Sequence, residues 1–111
     1  MLKCHQTSKN KETDTTVRFE QIIWLPAIAE KLFQKHHLIR REVEEALKSR
    51  PLIKFVEKGQ RPGEDIYAAY GRTAAGRYLI IFFIAKPDKA ALIISGCDMN
   101  DKERKAYGKR K

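Results

Sequence analysis

No apolar run in this sequence exceeds eight residues, the stretch Tyr78–Ala85, well short of the roughly 18 that span a bilayer. A membrane helix is therefore not expected. Residues 1–16 are rich in Lys, Ser, Thr and Asn and lack the apolar segment of a secretory signal. Cysteine is scarce. Cys4 lies in this polar leader, Cys97 closes an apolar run, and no C-x-x-C occurs. Nothing suggests a disulfide scaffold, so a reduced, cytoplasmic protein is the simplest expectation. Metal-binding spacings are missing too. There is no H-E-x-x-H, and the adjacent His36 and His37 would point about 100° apart on a helix, unable to chelate one ion unaided. Gly71–Gly76 has two glycines but no following Lys-Ser/Thr, so a plain turn is expected rather than a phosphate loop. No metal and no cofactor is expected.

Positive charge is abundant: 23 Lys+Arg against 14 Asp+Glu give a formal charge of +9 over 111 residues. Its distribution is uneven. Residues 1–16 carry three lysines against two acids, residues 17–97 fourteen cations against nine, and the last fourteen residues six against three. Such a field raises the encounter rate with polyanions, RNA above all. A solubilising basic surface with no RNA role would have the same composition.

The length suits one domain with one core. Residues 1–16 read as a disordered leader, and the folded unit is expected over 17–111. Val17–Leu25 is β-branched and aromatic, which favours a strand. Pro26 then fits the first turn of a helix. Ile28, Ala29, Leu32 and Phe33 mark one face of that helix, which ends near His36–His37. Ile39, Val43, Ala46 and Leu47 mark a second helix, stopped by Ser49-Arg50-Pro51. Beyond Pro51 the period becomes that of strands: Leu52–Glu57, Asp65–Tyr70, Tyr78–Ala85 and Ala90–Ser95, with Lys86–Lys89 as a hairpin connection. Tyr78–Ala85 is apolar on both faces and should be central. Asn100 and Glu103 form a capping box for a last helix, Asp101–Tyr107. The expected class is α+β, a small antiparallel sheet with two helices on one face and a C-terminal helix, in the order β-α-α-β-β-β-α. The other face is expected to stay partly open and hold the site.

Arg72 and Arg77 flank the Gly71–Gly76 turn. Two guanidiniums held together repel unless an anion lies between them, and their planar forks suit phosphate; a solvated turn with two separate charges is the alternative. Lys35 and His36 close the first helix, where a cation also complements the helix C-terminus. Trp24 reads as core. Lys102, Arg104, Lys105, Lys109, Arg110 and Lys111 form a basic helix and tail suited to phosphates or to the acidic face of a partner protein.

The pattern W-x-P-x-x-x-x-K-L-x-x-K-H, here Trp24, Pro26, Lys31, Leu32, Lys35 and His36, resembles the opening of BrnT toxins, as does the E-V-E-E-A helix at Glu42–Ala46. The second half is closer still, with G-R-T-x-x-G-R-Y-L-I at Gly71–Ile80 and I-I-S-x-x-D-M-x-x-x-E-R-x-x-Y at Ile93–Tyr107. The resemblance implies a RelE-like fold and a metal-independent ribonuclease toxin of a type II toxin–antitoxin pair. Its partners would be RNA and a BrnA-like antitoxin, as a dimer or a heterotetramer with that antitoxin. The implied chemistry is attack of the ribose 2′-OH on the adjacent phosphorus. By the resemblance, Arg72 and Arg77 would handle phosphate and transition-state charge, His36 or Glu64 protons, and Lys35 would support them. Arg104, Lys105, Lys109 and Arg110 are the expected RNA-binding residues.

This chain departs from the family pattern in one respect. Where the family usually reads I-S-A-R, this chain reads Ile94-Ser95-Gly96-Cys97. Loss of an arginine contact to a phosphorane costs about 2–4 kcal/mol of transition-state stabilisation. The implied activity is thus either a weakened nuclease or a catalytically impaired protein that still binds RNA or a partner.

Overall fold

Pro26 opens a helix at the position where its missing N–H would have no intrahelical partner in any case. The computed structural model describes residues 20–49, 51–59, 64–86 and 89–109. The leader 1–16, the start of the first expected strand and Arg110 lie outside these residues, as does the side chain of Lys109. In chain order the elements are β1 (Gln21–Ile23), α1 (Pro26–His36), α2 (Arg40–Lys48), β2 (Leu52–Glu57), β3 (Ile66–Arg72), β4 (Tyr78–Ala85), β5 (Ala90–Asp98) and α3 (Asp101–Lys109).

The class is α+β, with two differences in detail from expectation. Every apolar segment read as a strand forms one, which makes five strands and the order β-α-α-β-β-β-β-α; the order written from the sequence left out one of those five segments. The sheet is mixed, because β1 runs parallel to β5 while the remaining pairings are antiparallel. The strand order β1-β5-β4-β3-β2 puts β4 in the centre. Its side chains alternate between two apolar clusters. Leu79, Ile81 and Phe83 pack with Leu32, Leu38, Val43 and Leu47 of the helical layer. Ile80 and Phe82 face the other way, towards Ala68, Cys97, Met99 and Tyr107. Full burial of each such aliphatic or aromatic side chain contributes about 1.5–3 kcal/mol, which makes β4 the largest single source of core stability. The face expected to stay partly open holds this second cluster, which takes in Tyr107 of α3.

A bulge in β5 determines which residues reach which face. Phe82 pairs with Ser95 and Phe83 with Ile93, leaving Ile94 as the extra residue. One inserted residue reverses the alternation downstream. Gly96 therefore lies against Leu38 on the helical side, Cys97 enters the opposite cluster, and Asp98 returns to the helical side to meet Arg77.

The ends of the helices place the remaining groups. His37 adopts the left-handed conformation (φ 54, ψ 35) that ends α1. The His37 N–H donates to the Phe33 carbonyl at 2.9 Å and the Leu38 N–H to that of Leu32 at 3.2 Å, a left-handed cap accompanied by the buried pair Leu32 and Leu38. At α3 the capping box forms as expected: the Asn100 N–H donates to Glu103 and the Glu103 N–H to Asn100 Oδ1, both at 2.8 Å. The β3–β4 turn is tied internally by Thr73, whose Oγ1 accepts from the Arg77 N–H at 3.0 Å. It is also tied to the end of α2, where Ser49 Oγ accepts from the Arg72 N–H at 3.2 Å and Glu45 from the Ala74 N–H at 3.2 Å. A Cβ on Gly71 would overlap the Ala46 carbonyl, so only glycine lets strand and helix approach this closely.

Candidate nucleic-acid interface

Arg77 emerges from the turn on the helical side. Its Nε donates to Asp98 Oδ1 at 2.6 Å and its Nη2 to Asp98 Oδ2 at 3.0 Å, a bidentate pair. Nη2 also donates to the His36 carbonyl at 2.7 Å, and Nη1 to the His37 carbonyl and to Glu42 Oε1, each at 3.3 Å. All five guanidinium N–H groups thus have partners. The two carbonyls belong to the end of α1, where a cation complements the helix dipole. Glu42, in the first turn of α2, also accepts from the Ile39 N–H at 3.3 Å. One side chain therefore ties α1, α2, β4 and β5 together. The hydrogen bond from Arg77 holds the Asp98 carboxyl below the ordinary carboxylate range; burial opposes this, and the charges of Arg77 and, behind it, His36 add to it. The Arg77 guanidinium is correspondingly more basic than usual, chiefly through the same hydrogen bond.

On the opposite face of the same sheet end the arginines have no carboxylate partner among the described residues. Arg72 and Tyr78 are direct cross-strand partners, so their side chains share a face. The Arg72 guanidinium carbon lies 5.4 Å from the centre of the Tyr78 ring, and that of Arg104, from α3, lies 4.8 Å from it. Tyr107 meets the same ring edge-on at 5.8 Å. Among the described residues neither Arg72 nor Arg104 makes an ion pair. Gly76, Arg77, Tyr78, Asp98, Met99 and Arg104 line an open hollow of about 210 Å³ at this sheet end. Two guanidiniums seated on one aromatic ring can take a phosphate while a base stacks beside them.

The expected site residues divide accordingly. His36, Arg72, Arg77 and Arg104 all lie at this end of the sheet, the His36 carbonyl with Arg77 on the helical face and Arg72 with Arg104 on the other. Lys35 lies exposed in the last turn of α1, and Lys105 is exposed on α3. Glu64 is not brought to this end of the sheet. It precedes β3 and pairs with Lys86 at 3.0 Å, whereas Arg72 ends β3; eight residues of extended chain separate them by roughly 25 Å. Arg77 has a different position from the free phosphate ligand expected of it, being enclosed by two carboxylates and two carbonyls. Cys97 is 2% exposed and packed in the second cluster, so an arginine there would meet an apolar floor. Tyr78 and Asp98 were missed as site residues. For Tyr78 a signal existed: if the turn spans 73–77, Arg72 and Tyr78 must pair. Among the described residues no three His, Cys, Asp or Glu side chains gather as a metal site would need, and no helix is long and apolar enough to cross a membrane.

No protein-family model matches this chain, and no curated protein matches it. Among solved structures the chain is similar to the ribonuclease toxin BrnT of Brucella abortus, with a TM-score of 0.54 and 17% identity over 73% of this chain and 97% of that one. At this identity the likeness establishes the BrnT-like fold.

Proposed function

We propose that this protein is a metal-independent ribonuclease toxin of a type II toxin–antitoxin pair, inhibited by a BrnA-like antitoxin as a dimer or a heterotetramer in the cytoplasm. The observation that carries this reading is the pair of guanidiniums, Arg72 and Arg104, on the Tyr78 ring, with no carboxylate partner among the described residues. Arg72 and Arg104 hold the scissile phosphate, and Lys105, Lys109 and Arg110 are assigned to RNA binding. The ribose 2′-OH attacks the adjacent phosphorus while the bond to the 5′-oxygen breaks. His36 handles the proton taken from the 2′-OH and returned to the leaving oxygen, and Lys35 adds positive charge beside it. The products are a 2′,3′-cyclic phosphate and a 5′-OH. Arg77 acts through its neighbours, fixing the carbonyls of His36 and His37, and is a positioning residue.

A second reading, an RNA- or partner-binding protein with impaired catalysis, is favoured by the full engagement of Arg77 and the burial of Cys97. Expressing the chain without an antitoxin separates the two. The enzyme reading predicts growth arrest and RNA fragments ending in 2′,3′-cyclic phosphate, with cleavage by the purified protein persisting in EDTA and lost in His36→Ala and Arg72→Ala. Healthy cells and intact RNA, with RNA still bound by the purified protein, would select the second reading. No RNA binding even at low salt would leave only a basic protein with no RNA role.

A further inference from the structure

The bidentate contact between Arg77 and Asp98 has the geometry a phosphate would use. Nε and Nη2 form the edge of the guanidinium fork that pairs with two oxygens of one anion, and Asp98 fills it at 2.6 and 3.0 Å. The other three N–H groups are held from behind by the His36 and His37 carbonyls and by Glu42. Those three contacts do not involve Asp98, so the fork keeps its aim when Asp98 is removed. Asp98 is the solvent-side member of the pair, its side chain 51% exposed against 28% for Arg77. The occupied edge opens into the hollow that Arg104 and Tyr78 also line. An anion in Asp98's place would therefore face two arginines.

We propose that the Nε/Nη2 edge of Arg77 is a preformed seat for an RNA phosphate, occupied by the chain's own Asp98, and that Asp98 thereby limits how tightly the protein holds RNA. The inference rests on the RNA reading above. It adds a residue that restrains binding, at a position where an unpaired arginine would otherwise make a further phosphate contact in the hollow that Arg104 also lines. Because Asp98 stays ionised throughout the neutral range, its competition with phosphate is that of a full negative charge.

The test measures binding of a short fluorescent single-stranded RNA by anisotropy across a salt series, with thermal melting to show that each variant is folded. Asp98→Ala is expected to bind about tenfold tighter at fixed salt, the worth of one charge-assisted contact. Its log-affinity against log-salt slope should steepen by about 0.7, the increment for one added phosphate contact on a single strand. Asp101→Asn, an exposed position in the first turn of α3, raises the net charge equally without freeing an arginine, and should leave the slope unchanged. Asp98→Asn keeps one acceptor for Arg77 and should give a smaller gain in the same direction, so an unfolded alanine variant does not end the test. Arg77→Lys combined with Asp98→Ala should lose the gain, because an ammonium lacks the fork. Equal gains and equal slopes for the position 98 and 101 variants would overturn the inference, as would no gain at position 98. If wild type binds RNA through Arg72 and Arg104 while Asp98→Ala is no tighter, only the inference fails. If nothing binds at low salt, the RNA reading falls with it.

Discussion

Arg77 and Tyr78 are adjacent in the chain yet serve opposite faces of one sheet end. On the helical face Arg77 is surrounded by Asp98, Glu42 and two helix-end carbonyls, and its charge goes into holding four elements together. On the other face Arg72 and Arg104 share the Tyr78 ring and have no carboxylate partner among the described residues. The difference shows that net charge is a poor guide to function. An arginine that is fully hydrogen-bonded builds the framework, and one held only by an aromatic ring keeps its charge available for a ligand.

The two faces should therefore respond differently to substitution. The largest effect on stability is expected at Arg77. Arg77→Met removes the bidentate pair and both carbonyl contacts and should cost about 3 kcal/mol in chemical denaturation. A loss below about 1 kcal/mol would show that the network is an incidental surface arrangement. Gly71→Ala also strikes the framework, forcing β3 away from the end of α2, and should cost about 2 kcal/mol by the same measurement.

A smaller effect is set by pH. The Asp98 carboxyl is held below its ordinary value in the folded chain, so its contribution to stability is fully present above the unfolded carboxylate value of about 3.9. It is lost as pH falls through the lowered folded value. Since Asp98 is half exposed, the contribution stays under about 1 kcal/mol. The stability gap between wild type and Asp98→Asn should be constant from pH 7 to 5 and close below about pH 4. A gap that is unchanged under acid would mean the carboxylate charge is not what Arg77 recognises. The smallest effect is expected at Glu64. Glu64→Gln lies at the far end of the sheet and should leave RNA binding and cleavage at wild-type levels. A large loss would return Glu64 to the site.

Much of the framework was legible in the sequence. β2 and β4 have the expected bounds, because turn residues and a change of period mark them on both sides. The capping box of α3 was readable from Asn100 and Glu103 alone. What could not be read was the parity of β5. Ile93, Ile94 and Ser95 carry no glycine or proline to mark a bulge, and without it Asp98 would have faced away from Arg77. The pairing of Arg77 with Asp98 spans 21 residues, and its contact with the His36 carbonyl spans 41. Such contacts follow from topology, and short-range pattern does not reveal them. The separation of Glu64 from Arg72 was hidden for the related reason that a motif gives order along the chain, while β3 carries the two to opposite ends of the sheet. Parity across the hairpin, had it been followed, would have paired Arg72 with Tyr78.

The central claim is that the face bearing Tyr78 holds RNA while Arg77 supports the fold, and the salt dependence of RNA binding by the Arg72→Ala/Arg104→Ala double variant tests it most directly. The account predicts a fold destabilised by no more than about 2 kcal/mol, the worth of two exposed cation–π contacts. It also predicts a log-affinity slope shallower than wild type by about 1.4, two phosphate contacts on a single strand. An unchanged slope in a folded double variant would contradict it.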